Sequence, residues 1–203
     1  PPWRTVYGWF RRWLARGLFA RMRRDLARPR RRAAGRAKAK PRPAIIDTRT
    51  ATCLPVRGPR GCDAARRVVG RKRVALVDAD GNRLAVAVVP ACAQERDALS
   101  APDAGKVAWP SLRAAILDGA FAAERCRAWS TRHGMRHEVV ARPPPDQKGF
   151  AVLPRRWIVA RSFGRLTRWG GVLRDRAGRL DGAAARIACT ALLATAEALI
   201  NPG

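Results

Sequence analysis

An α/β fold is predicted by three observations. Short β-branched runs bounded by Gly and Pro recur through residues 44–140, helical patterns are interspersed among them and follow them, and Asp80-Gly81-Asn82 supplies hairpin turn chemistry between two of the runs. The chain has 203 residues, of which 47% are hydrophobic, far more than a disordered basic tail carries and enough for one core.

Each element follows from its local pattern. Over residues 3–28, Trp3, Tyr7, Phe10, Leu14 and Leu18 fall near helical spacing, interleaved with Arg11, Arg12, Arg16, Arg21, Arg23 and Arg24, which predicts one or two basic helices. Residues 29–43 are Arg-rich, Ala-rich and punctuated by Pro without periodic apolar positions, and read as a basic linker. A folded domain is expected over 44–203. Its strands are Ala44–Asp47, Val74–Asp78 and Leu84–Val89, the last two joined by the hairpin. Helical patterns follow at Gln94–Leu99, from Ser111 into Asp118, and at Phe121–His133. Another strand is expected at Glu138–Val140, ended by Pro143-Pro144-Pro145, and the remainder reads as helices Pro154–Trp169 and Gly182–Leu199. The opening Pro1 suggests an internal or truncated start.

Charge bounds the partner. The chain carries 42 Lys+Arg against 15 Asp+Glu, a formal net charge of +27, and Asp25 is the sole acid among its first 43 residues. Arginines that neutralise phosphates release condensed counterions, so nucleic acid is the expected partner. The competing explanation is codon usage in a GC-rich genome, since Arg outnumbers Lys 37 to 5. Five cysteines, odd in number, widely spread and without a C-x-x-C pair, argue against a disulfide framework or structural zinc. No apolar run approaches the length of a membrane span and no signal-peptide h-region is seen, so a soluble intracellular protein without a membrane partner is expected. The absence of a G-x-x-x-x-G-K-[ST] loop disfavours an ATP-driven motor.

Two carboxylates carry the candidate chemistry. Asp47 ends the first strand, and Asp118 follows Ile116-Leu117 just before Gly119; the pair reads as carboxylates at strand ends, despite the helical pattern leading into Asp118. Carboxylates at such positions can hold two divalent metals for phosphodiester cleavage, although an Asp ending a buried strand is more often a turn former or helix cap.

A resemblance adds to this. Pro1-Pro2-Trp3-Arg4-Thr5-Val6-Tyr7 with Phe10-Arg11-Arg12-Trp13, Ala44-Ile45-Ile46-Asp47-Thr48, Gly58-Pro59-Arg60-Gly61-Cys62-Asp63-Ala64 with Gly70-Arg71-Lys72-Arg73, Val77-Asp78-Ala79-Asp80-Gly81 and Gln94-Glu95-Arg96-Asp97 occur in order. They are followed by Leu117-Asp118-Gly119-Ala120-Phe121, Arg142-Pro143-Pro144 with Lys148-Gly149-Phe150, and Leu153-Pro154-Arg155-Arg156-Trp157-Ile158-Val159. This series resembles bacterial insertion-sequence transposases of the DDE type, in the branch typified by insertion sequence five. The resemblance implies a ribonuclease-H-like mixed sheet flanked by helices, behind a short basic helical segment. It divides the chain into a remnant of the helical DNA-binding region (1–28), a linker (29–43) and a catalytic domain (44–203). It also implies Mg2+ or Mn2+ held by Asp47 and Asp118, and double-stranded DNA ending in terminal inverted repeats as partner. A possible homodimer and a bacterial cytoplasmic, nucleoid-associated location follow too.

The third carboxylate departs from the family pattern. Where the family reads Val-Glu-Arg-Thr-Phe on a helix, this chain has Val159-Ala160-Arg161-Ser162-Phe163, and no acid stands in 156–164; the nearest are Asp146 and Asp175. Arg165 likewise replaces a usual aromatic. An impaired enzyme is expected, or alternatively a domesticated or residual DNA-binding protein, because phosphate contacts come from basic groups rather than carboxylates. The candidate phosphate contacts are Arg71, Lys72, Arg73, Arg155, Arg156 and Arg161. Trp3, Trp9, Trp13 and Trp157 could stack on bases, but at helical spacing are expected in the core. Asp63, Asp78 and Asp97 are expected to be turn or cap residues, and His133 and His137 need no role.

Overall fold

The computed structural model describes residues 1–35, 40–54, 58–94, 98–121, 124–140 and 156–200. Two helices open the chain, α1 (Trp3–Ala15) and α2 (Leu18–Ala33), turning at Gly17, whose φ of 65° lies in the left-handed region open to glycine. α2 passes through Pro29, so residues 29–33, expected in the linker, are helical. Pro29 forfeits one backbone donor, but Arg30, Arg31 and Arg32 in the last turn complement the negative pole of the helix.

Among the described residues six strands form one sheet: β1 (Pro43–Thr52), β2 (Gly61–Asp63), β3 (Val68–Val77), β4 (Arg83–Pro90), β5 (Ala114–Asp118) and β6 (Arg136–Val140). Their order is β2-β3-β1-β5-β6, with β4 also on β3. β1–β3 and β3–β4 are antiparallel, whereas β1–β5 and β5–β6 are parallel. The β3–β4 hairpin forms as expected. Asp78 organises its turn, one carboxylate oxygen accepting the backbone N–H groups of Asp80 and Asn82 at 2.9 Å each, and Gly81 takes a φ of 78°.

Helices cover both faces, as a ribonuclease-H-like sheet requires. On one face Ile46, Leu76 and Leu117 meet Ala101 of α3 (Ser100–Ala108) and Cys126 and Trp129 of α4 (Glu124–Arg132). On the other, Ile45, Ala75, Val77 and Ile116 meet Ile158, Val159 and Phe163 of α5 (Arg156–Gly164). Leu166 of a 3-10 turn (Arg165–Arg168), Val172 of α6 (Gly170–Leu173) and Ile187 of α7 (Leu180–Ile200) complete that second core.

Several expectations are corrected. Residues 114–118 are strand β5, not the end of a helix from Ser111. Ile116 and Leu117 enter opposite cores, and burial on both faces erases the alternation that marks a strand. The helix expected at Gln94–Leu99 begins at Ser100, residues 95–97 lying outside the described set. β1 and β3 outrun their apolar stretches because pairing continues from Ile45↔Val77 to Thr52↔Gly70 through polar residues. α7 is long and apolar enough to cross a membrane by length and composition, contrary to the sequence expectation; it packs on β4 and α2, and 39% of its apolar window is buried. The tryptophans expected in the core are exposed: Trp3 at 71%, Trp9 and Trp13 at 44% each, and Trp157 at 47%.

Candidate active site

Asp47 lies inside β1 rather than at its end, at the point where β1 leaves β5. The parallel pairing ends at Ile45↔Ile116, and Asp47 and Asp118 each stand two residues further along their strands. Side chains alternate along a strand, so both aspartates share the face of Ile45 and Ile116, whose side chains lie in one core cluster. Asp47 also stands opposite Ala75, a member of that cluster. Asp118 is buried and Asp47 half-buried, with the Thr48 backbone N–H donating to Asp47 Oδ1 at 2.7 Å.

The helix over this face bears Ala160, where the sequence resemblance expects a third carboxylate. α5 anchors itself through Ile158, Val159 and Phe163, and leaves Ala160 exposed. A methyl group there offers no oxygen ligand. Among the described residues no three His, Cys, Asp or Glu side chains converge to hold a metal ion. Asp47 and Asp118 fit a hard cation by ligand chemistry, as a reduced set. Glu138 escaped the sequence reading: paired across β5–β6 with Ile116, it shares the face of Asp118 and forms an ion pair with Arg136. Its adjacency to Asp118 exists only once β6 docks beside β5. Asp175, an acid near the third position in sequence, is buried beside Arg71 at 3.2 Å and is committed there. Asp146 lies outside the described residues.

The basic cluster of β3 is an interior one. Arg71, Lys72 and Arg73 are buried at 0%, 5% and 6% exposure instead of forming a solvent face. Arg71 donates to the carbonyls of Pro59 at 2.7 Å and Ala177 at 2.6 Å, and Lys72 to that of Ala93 at 2.7 Å. Arg73 donates to the Val172 carbonyl. Burial holds the Arg73 guanidinium below its ordinary value, with Asp175 acting in the opposite sense. These cations tie the middle of β3 to the segment before β2, the turn after β4 and the C-terminal segments. Arg161 is exposed, its guanidinium 4.6 Å from the ring centroid of Trp157. Arg155 and residues 142–154 lie outside the described set, as does Asp97; Arg156 begins α5.

The other singled-out residues have local partners. Asp63 receives hydrogen bonds from the Thr50 hydroxyl and the Arg66 backbone, the Thr50 bond foremost in holding its carboxyl below the usual range. Arg31 of α2 donates to Asp78 at 2.6 Å and Asp80 at 3.0 Å, a role for Asp78 beyond its turn. His133 pairs with Asp103 at 3.1 Å, and His137 Nδ1 lies 2.9 Å from the Ser130 hydroxyl.

No curated protein matches the chain. A family model does: the transposase DDE domain matches residues 38–195, which takes in every strand and the core helices α3–α6 with most of α7. A mixed sheet with two register-matched aspartates beneath a helix accords with that match, and the chain belongs to the transposase DDE domain family.

Proposed function

We propose that this chain is a transposase of the insertion-sequence-five type that binds transposon-end DNA at terminal inverted repeats and is impaired in cleavage and strand transfer. The observation that carries the reading is the register: Asp47 and Asp118 stand two residues past Ile45↔Ile116 on one sheet face, under the helix bearing Ala160. We assign Asp47 and Asp118 to hold Mg2+ or Mn2+. A cation held by these two carboxylates would supply activation of the attacking hydroxyl and stabilisation of the leaving oxygen of a phosphodiester.

The chain's own residues explain the impairment. Without a carboxylate at 160, the reduced ligand set would position a cation and scissile phosphate poorly, putting several kcal/mol of barrier lowering at risk. DNA binding is retained because phosphates are met by arginines. Exposed Arg161, with Arg155 and Arg156 beside it in sequence, is assigned to such contacts; buried Arg71, Lys72 and Arg73 are not. Residues 1–28 are a helical DNA-binding segment, 29–43 a basic connection into which α2 extends, and 44–203 the catalytic domain. A homodimer joining paired ends, in a bacterial cytoplasmic setting near the nucleoid, completes the proposal.

A binding-only, domesticated protein is the second reading, favoured by Ala160 itself. The two readings separate in a nicking assay on supercoiled DNA carrying a transposon end, with Mg2+ or Mn2+. Ala160→Glu should nick and lose activity with EDTA or Asp47→Ala, while the natural chain binds without cutting. No gain by folded, DNA-binding Ala160→Glu overturns the impaired-enzyme reading and leaves the binding protein.

A further inference from the structure

The exposed side of α5 does not end at position 160. Trp157, Arg161, Arg165 and Arg168 are exposed and recur every three or four residues, with exposed Ala160 beside them, a stripe running from α5 into the following 3-10 turn. Eight residues separate Ala160 from Arg168, on the order of 12 Å at helical rise, comparable to three or four nucleotides at about 3.4 Å each.

The stripe leads into a groove. A cavity of about 680 Å³ is lined by Arg30 of α2, Arg165, Arg168 and Trp169, and by Ala194, Glu197 and Ala198 of α7. Arg30 reaches from α2 to the Thr195 hydroxyl of α7 at 3.5 Å, which sets one wall. Buried Arg83, donating to the Ser162 carbonyl, adds a further charge: its guanidinium falls to about 10, through burial first and then Arg165 and Arg30. Arg165 is also lowered, by burial and then by Arg161, Arg30 and Arg168. Like charges from α2, α5 and the 3-10 turn are thus held close enough to repel, with Glu197 the one acid in the groove lining among the described residues. A run of phosphates relieves that repulsion, and Trp169 adds a flat apolar surface to the lining.

We propose that the groove between α2, the 3-10 turn and α7 is a duplex-DNA backbone site, through which Arg30, Arg165 and Arg168 hold the strand as it runs towards the carboxylate face. The assignment rests on the DNA-binding reading above, but not on catalysis.

The test is fluorescence anisotropy of a labelled duplex against salt concentration, in EDTA, so that cleavage and the state of position 160 do not enter. Arg165→Gln/Arg168→Gln should lower the log–log salt slope by about 2 and weaken binding more than tenfold at low salt. Arg127→Gln/Arg132→Gln removes the same charge from exposed α4 positions and should change the slope by less than half as much. Arg30→Gln should lower it by about 1. Tripolyphosphate at equal phosphate concentration should compete weakly, because it spans one end of the groove. Equal losses from the two double variants overturn the proposal, leaving general charge attraction. Tripolyphosphate that displaces duplex at equal phosphate also overturns it, in favour of a compact polyphosphate ligand. If the duplex does not bind the natural chain at all, the DNA-binding reading itself fails.

Discussion

Replacing Arg31 by Met should cost about 3 kcal/mol of folding stability, far more than a surface arginine. Arg31 and Asp78 have side chains 8% and 0% exposed and meet at 2.6 Å, while Arg31 also reaches Asp80 at 3.0 Å. Breaking a buried pair by removing one partner costs about 3–5 kcal/mol, mostly because the remaining charge stays buried. Asp78 keeps donors from the Asp80 backbone and from the backbone and side chain of Asn82, which places the cost at the low end. For a domain of this size about 3 kcal/mol corresponds to a fall in Tm of roughly 6–12 °C. The assay is urea and thermal unfolding of Arg31→Met beside Arg32→Met, the exposed neighbour carrying the same charge, which should change stability by less than about 0.5 kcal/mol. A double-mutant cycle with Asp78→Asn should return a coupling above about 1 kcal/mol. Equal effects at 31 and 32, or no coupling to Asp78, refute the argument that α2 is clamped to the sheet by a desolvated ion pair.

Two further perturbations address packing and pH. A Cβ at Gly105 would lie 2.2 Å from Leu76 Cδ2, so Gly105→Ala should destabilise by about 1–3 kcal/mol, whereas Gly182, with open space around its Cβ position, should gain about 0.5 kcal/mol on change to Ala; chemical denaturation compares them. The His137 imidazole is held below its ordinary value by burial first, then by Arg127, with Glu124 opposing. Its contribution is therefore complete above about pH 6.5, the unfolded value, and lost as pH falls from there through the folded value, because the unfolded state takes up the proton first. Stability measured from pH 7.5 to 5 should fall less in His137→Gln than in the natural chain, and identical slopes would refute the role of His137.

The site was legible in part. Ile45-Ile46-Asp47 and Ile116-Leu117-Asp118 mark carboxylates following apolar runs, and that position 160 is an alanine is visible from residue identity alone. That 114–118 is a strand was ambiguous, because residues buried on both faces lose their period. The Asp80-Gly81-Asn82 hairpin was plain, since turn chemistry is local.

By itself, the sequence determined the α/β class, the hairpin, the basic front helices, the two aspartates behind apolar runs and the absence of an acid from 156 to 164. These rest on residue type and on spacing within one element. Tertiary structure decided what depends on neighbours distant in the chain. Parallel pairing of β1 with β5 put Asp47 and Asp118 on one face. Burial turned Arg71, Lys72 and Arg73 from expected phosphate contacts into interior donors, and Arg31 into an anchor. The packing of α2 and the 3-10 turn against α7 made an arginine groove from residues more than 130 positions apart. Charge is written in the sequence, but whether a cation meets solvent, a carbonyl or another cation is set only when the chain closes on itself.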